Sequence, residues 1–219
     1  MEKLTFRNCD QTLFEKTFGL VEIRNKNCKT LREWIESANN QPITDLEQSF
    51  LLHQQNYMID NIYSWNEQEW IANFIGPVIS LVQFSTLQFN AFNERIISAV
   101  IDDIELLGKV DGMIARGRRE PEKPYFCLQE YKKEKDTDSG DPVGQALSAM
   151  LVAQAINNDN LPIYGGYVRG RDWFFMVLEG KEYAISRQFD ASEEDLLDIF
   201  RILKALKEIV AERIKLLEK

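Results

Sequence analysis

Near residue 95 the hydrophobic pattern of this chain changes its period, and that change restricts the folds open to it. From about residue 30 to 82 apolar residues recur at helical spacing; from 95 to 132 they follow the pattern of strands. Thr30 to Ser37 reads as a short helix ended by Asn39-Asn40-Gln41-Pro42. A second helical pattern runs from Thr44 through Leu51, Met58 and Ile62 to about Ser64. Asn66 is a suitable N-cap for a third, with Glu67 and Glu69 in its first turn and Trp70, Phe74, Ile75, Val78 and Leu81 along it. A kink is expected at Gly76-Pro77. Beyond the switch, 95–101, 104–115 and 125–132 read as strands, with a turn at Asp102-Asp103. Asp141-Pro142 then supplies an N-cap and a first-turn proline for a helix to about Asn157. Further strands follow at 163–168, 173–178 and 182–186, the last two joined at Glu179-Gly180-Lys181. Ser192 with Asp195 reads as a capping box for a final helix whose Leu196, Phe200, Leu203, Val210, Ile214 and Leu217 share a face. Residues 3–28 read as short strands. The order predicts an α/β domain whose central sheet is covered on both sides by helices.

Composition narrows the class. At 219 residues, 44% apolar and 28% charged, one globular domain is expected. The longest apolar run, Phe74 to Val82, is broken by Gly76-Pro77 and Ser80 and falls short of the roughly 18 residues of a membrane helix. No targeting segment is evident in MEKLTFRNCD, so the expectation is a cytoplasmic protein with no membrane partner. Cys9, Cys28 and Cys127 form no CxxC pair, and neither a zinc knuckle nor a disulfide framework is indicated. The net charge of −9 argues against coating nucleic acid with the whole surface. Charge is uneven, however: between Lys109 and Lys135 eight basic residues face five acids, a net of +3, against −12 for the remainder. Such a strip can still engage phosphate.

The segment YFCLQEYKKEK, 125–135, carries the chemistry. As a strand it places Phe126, Leu128, Glu130 and Lys132 on one face, apolar at the start and charged at the rim. Asp111 ends the segment GKVD of the preceding strand and lies beside Glu130 if the two strands pair. Two carboxylates converging at a rim are costly unless a cation lies between them, and oxygen-rich ligation suits Mg²⁺ or Mn²⁺.

Asp111 with Glu130-Tyr131-Lys132, in this order of helices and strands, resembles the PD-(D/E)XK, or restriction-endonuclease-like, nuclease superfamily. The resemblance covers about residues 66–190. NEQEWIANFIGPVISL, 66–81, looks like the family's N-terminal helix with its acid, for which Glu67 fits better than Glu69. DPVGQALSAM, 141–150, looks like the helix after the motif strand, where Gln145 fits the polar position. YGGYVRGRDWFFMVL, 164–178, is similar to the strands that follow. The usual proline before the first acid is absent, Val110 standing there.

The resemblance implies a restriction-endonuclease-like core with a mixed sheet over 44–219, and an N-terminal extension, 1–43, that caps the core or forms a homodimer contact. It implies phosphodiester hydrolysis, on DNA rather than RNA. Asp111 and Glu130 would hold Mg²⁺ or Mn²⁺, Glu67 would hold a second ion or its water, Lys132 would orient the attacking water, and Gln145 would assist. Arg116, Arg118, Arg119 and Lys133 are the candidates for phosphate contacts. The alternative is a catalytically inactive nucleic-acid- or protein-binding module on the same fold.

Rival chemistries lack their residues. His53 is the only histidine, and there is no HExxH, GxxxxGK[ST] or GxGxxG. Glu179-Gly180-Lys181, with Asp172 upstream, repeats the acid-x-Lys string but sits about a glycine and reads as a turn. Gly165-Gly166 and Gly170 are likewise expected in turns.

Overall fold

The computed structural model describes residues 2–134 and 140–217; Lys135, counted in the basic strip, lies outside them. The described chain runs β1 (Glu2–Thr5), α1 (Gln11–Leu13), β2 (Val21–Glu22), α2 (Lys29–Ser37), α3 (Asp45–Asn61), α4 (Glu67–Trp70), α5 (Gly76–Val82), β3 (Phe89–Ile101), β4 (Ile104–Arg116) and β5 (Glu122–Lys132). After the gap come α6 (Pro142–Asn157), β6 (Ile163–Arg169), β7 (Asp172–Glu179), β8 (Glu182–Ile185), β9 (Phe189–Asp190) and α7 (Asp195–Leu217).

Local chemistry explains where the helices begin. Thr44 and Glu47 form a reciprocal capping box at α3, and Asn66 and Glu69 form another at α4. Between α4 and α5, around the expected kink, Ile71–Ile75 form a wide π-type turn instead of a break. Pro77 falls in the first turn of α5, where its missing N–H costs little. Ser192 does not cap α7. Its hydroxyl donates to Asp190, and Asp195 accepts from the Asp190 N–H and from both terminal nitrogens of Arg187. Asp190 and Asp195 thus organise that helix start.

The strands form one mixed sheet in the order β1-β4-β5-β6-β7-β8-β2, with β3 added on β4 and β9 on β7. β3 and β4 are joined at Asp102-Asp103, both in the left-handed region (φ 50 and 65), as a tight hairpin requires. Pairings β5–β6, β1–β4 and β2–β8 are parallel, and the others antiparallel.

Two apolar layers cover the sheet. On one face α2, α4, α5 and α7 bury Trp34, Trp70, Phe74, Val78, Phe200 and Leu206. Trp34 also donates its indole N–H to the Ile202 carbonyl at 3.0 Å, which satisfies a polar group that burial would otherwise strand. On the other face lies α6, buried continuously from Val143 to Ala153. A helix apolar all round needs cover on both sides. The sheet supplies one side, and the N-terminal segment supplies the other through Phe6, Phe14, Phe18 and Leu20. Residues 3–28 therefore contain two short strands, with helical turns between them in place of further strands. Gly144 permits the close approach: a Cβ there would sit 2.1 Å from the Cys9 carbonyl oxygen.

Gly165 and Gly166 lie inside β6 and not in a turn. A Cβ at Gly165 would meet Met150 Sδ at 2.6 Å, and one at Gly166 the Phe174 carbonyl oxygen at 2.6 Å. Gly170, at φ 56, does make the β6–β7 turn, and Gly180, at φ 61, the β7–β8 turn. The Glu179-Gly180-Lys181 string is accordingly a hairpin turn, with Lys181 donating to the Phe18 carbonyl.

Candidate functional site

The site begins with an interruption in the sheet. One edge of β4 is paired with β3 along its length. The other edge carries β1 at Ile104–Leu107 and β5 at Gly112–Arg116. Between these partners, Gly108 to Asp111 have no strand on this edge among the described residues, so a notch opens in the sheet. Phe6 lies against Gly108 at one end, where a Cβ would be 2.2 Å from its ring. At the other end stand Glu130, Tyr131 and Lys132.

Asp111 sits where the strands part. The register ends at Gly112 opposite Gln129, and there the Asp111 carboxylate accepts the Tyr131 N–H at 2.8 Å. A side chain thus continues a ladder that the backbone has left. The inward-facing residues of β4 change parity at the same point: Leu106 and Val110 face the α6 layer on one side of it, Met113 and Ala115 on the other. Opposite Asp111 across the β3–β4 hairpin lies Glu94, held at φ 55, and this left-handed residue re-aims the strand pair. The Tyr131 hydroxyl and Gln129 amide, hydrogen-bonded to each other, occupy the space a Cβ at Gly112 would take, at 2.8 and 3.0 Å.

On β5 Leu128 faces the α6 layer and Tyr131 the opposite one, as alternation expects. Alternation fails for Phe126. A bulge between Ile114 and Ala115 of the partner strand turns Phe126 into the opposite layer beside Cys127.

Glu130 and Lys132 are both buried, at 5% and 6% exposure, and form an ion pair at 2.6 Å. Glu67, from the first turn of α4, stands 3.7 Å from the same ammonium. Glu69 is occupied by the capping box, so of the two helix acids it is Glu67 that reaches the cluster. Burial pushes the Glu130 carboxyl up to about 7, and the charge of Asp111 adds to this against the opposing pull of Lys132. Asp111 is raised as well, chiefly by burial, although the Tyr131 N–H and Lys132 work against it. Burial disfavours the Lys132 ammonium, but Glu130, Glu67 and Asp111 outweigh burial and raise it.

The structure therefore brings Asp111, Glu130, Lys132 and Glu67 together at the notch. Gln145, in the first turn of α6, is buried near Gly140, its amide nitrogen 3.0 Å from where a Cβ of that glycine would lie. Arg116, Arg118 and Arg119 are exposed at the β4–β5 hairpin. Arg116 is five residues from Asp111, about 17 Å of extended strand, and no contact joins these arginines to the cluster among the described residues. Lys133, half-buried, lines a cavity of about 260 Å³ with Trp65, Asn66 and Glu134.

Two residues without an assigned role join the cluster. Lys109 donates to Glu94 at 2.8 Å; that bond raises its pKa, and Asp111 and Glu67 contribute further. Their signal was present in the sequence. A two-residue turn at Asp102-Asp103 sets the hairpin register and makes 94 the partner of 111, while Lys109 precedes Asp111 by one full strand repeat.

A divalent cation is compatible with this chemistry, since burial raises both carboxyls and the charge of Asp111 raises Glu130 further, a cost that such an ion relieves. No ready-made group of three or more His, Cys, Asp or Glu ligands is present among the described residues. The ion would be held by two carboxylates and backbone or solvent oxygen. No helix among the described residues is long and apolar enough to cross a membrane. No protein-family model matches the chain, and no curated protein matches it.

Proposed function

We propose that this protein is a Mg²⁺- or Mn²⁺-dependent phosphodiesterase of restriction-endonuclease-like architecture, acting on DNA in preference to RNA. The observation that carries the reading is the convergence of Asp111, Glu130, Lys132 and Glu67 at an interruption in the sheet, each from a different point of the sequence pattern. Asp111 and Glu130 would hold the cation, with the Tyr131 carbonyl as a further oxygen donor. A cation there supplies positive charge for a phosphate oxygen and acidity for an attacking water. Lys132 orients that water and offsets charge on the pentavalent transition state. Glu67, 3.7 Å from the ammonium, would hold a second ion or its water.

The experiment is cleavage of plasmid and of bis(p-nitrophenyl) phosphate with Mg²⁺ or Mn²⁺. Asp111→Ala and Lys132→Ala are expected to lower the rate by about 100-fold or more each. Retention of wild-type rates in Lys132→Ala removes it from the mechanism.

A second reading, a non-catalytic module, is favoured by one observation: the Lys132 ammonium already neutralises Glu130 at 2.6 Å. Calorimetry with Mn²⁺ separates the two. Absence of binding at millimolar metal supports the module.

A further inference from the structure

Beside the notch lies a cleft of about 490 Å³ between the Ile71–Val82 helical segment and the ends of β3 and β5. Its floor is apolar, from Ile71, Ile75, Ile79, Phe84, Ala91 and Tyr131. Its rim is polar and uncharged: Ser80, Gln83, Ser85 and Asn93, all exposed. The cleft's lining adjoins the candidate site along the strands, although Asp111, Glu130, Lys132 and Glu67 do not themselves line it. Tyr131 is the residue between Glu130 and Lys132, and Asn93 pairs across the hairpin with Gly112, next to Asp111.

We infer that this cleft receives one unpaired nucleoside of the nucleic acid whose neighbouring phosphate lies at Asp111, Glu130 and Lys132. Three features decide the occupant. Among the described residues no lysine, arginine, aspartate or glutamate lines the cleft, so it suits the neutral part of a polyanion and not its phosphates. Its volume is that of a site for one small ligand, on the order of 300–1,000 Å³, which is room for one base and sugar. Its floor offers a ring edge and aliphatic surface to a base face, and its rim offers amides and hydroxyls to a base edge, the combination by which unpaired bases are held. A base inside a duplex cannot enter, so the substrate has a single-stranded, flapped or flipped nucleotide at the cut. This inference rests on the nuclease reading for the phosphate's position, but binding in the cleft is measurable without cleavage.

The test uses the full-length protein in Ca²⁺, with a fluorescein-labelled oligothymidylate and a blunt duplex as probes. Ser80→Trp fills the rim from an exposed helix position, and Asn93→Ala removes a rim amide; circular dichroism checks the fold of each. Ser80→Trp is expected to weaken oligothymidylate binding about tenfold or more, and Asn93→Ala about fivefold. Duplex binding and bis(p-nitrophenyl) phosphate hydrolysis, which involve no base in the cleft, are expected to stay at wild-type values. Unchanged oligothymidylate affinity in both variants overturns the inference, as does equal loss for duplex and single strand. Should Ser80→Trp misfold, Asn93→Ala decides by the same comparison. If the wild-type protein hydrolyses neither DNA nor the small diester, the nuclease reading fails on its own, and the selective loss of single-strand binding still judges the cleft.

Discussion

Glu130→Gln probes the electrostatics of the notch without any assumption about activity. In the metal-free protein, burial and Asp111 place the Glu130 carboxyl near 7, against about 4.5 for an exposed glutamate. A carboxyl raised on folding makes the native state bind more protons than the unfolded one, so stability falls as pH rises between those values. The stability is fully present below about pH 4.5 and has been lost by the time pH passes about 7. Integrating over that interval from about pH 5 to about pH 8 gives a loss on the order of 2 to 3 kcal/mol from this one group. Glutamine keeps the shape and cannot ionise. The variant therefore resembles the protonated wild type at both pH values, with Lys132 facing a neutral amide. Urea unfolding in EDTA is the assay, the midpoints converted through a common m-value. The difference in stability, variant minus wild type, is expected to move in favour of the variant by about 2 to 3 kcal/mol between the acidic and alkaline measurements. Parallel pH profiles for the two proteins would refute the reasoning, because Glu130 would then titrate as an ordinary exposed acid.

Two further substitutions test the scaffold. Gly144→Ala places a Cβ 2.1 Å from the Cys9 carbonyl oxygen, and since both are backbone-bound the N-terminal segment must lift from α6; a loss of about 1–3 kcal/mol is expected by thermal denaturation, and a neutral result denies the close packing. Thr44→Ala removes the side chain that accepts the Glu47 N–H at the start of α3, for an expected loss of about 1 kcal/mol in the same assay; no change would mean that solvent caps the helix equally well.

Much of the architecture is legible in local chemistry. The caps Asn66 and Asp141, the first-turn Pro142 and the Asp102-Asp103 turn act within a few residues, and the structure places helices and strands where they point. The acid-x-Lys segment was readable as a strand, but the sequence placed Glu130 and Lys132 at an exposed rim, whereas the structure buries both.

What the sequence determined by itself, then, was the period of each segment and the residues able to ionise. Only the tertiary structure decided how those segments meet. Phe126 broke its alternation because a bulge depends on two strands at once, and Gly165 and Gly166 proved to be packing sites because their neighbours, Met150 and Phe174, lie on other elements. The notch itself exists because β1, from the chain's first residues, and β5 share one edge of β4 and stop short of each other. No local propensity encodes that gap. It follows from long-range pairing, and it is what gathers the buried Glu130 and Lys132 with the half-buried Asp111 and Glu67.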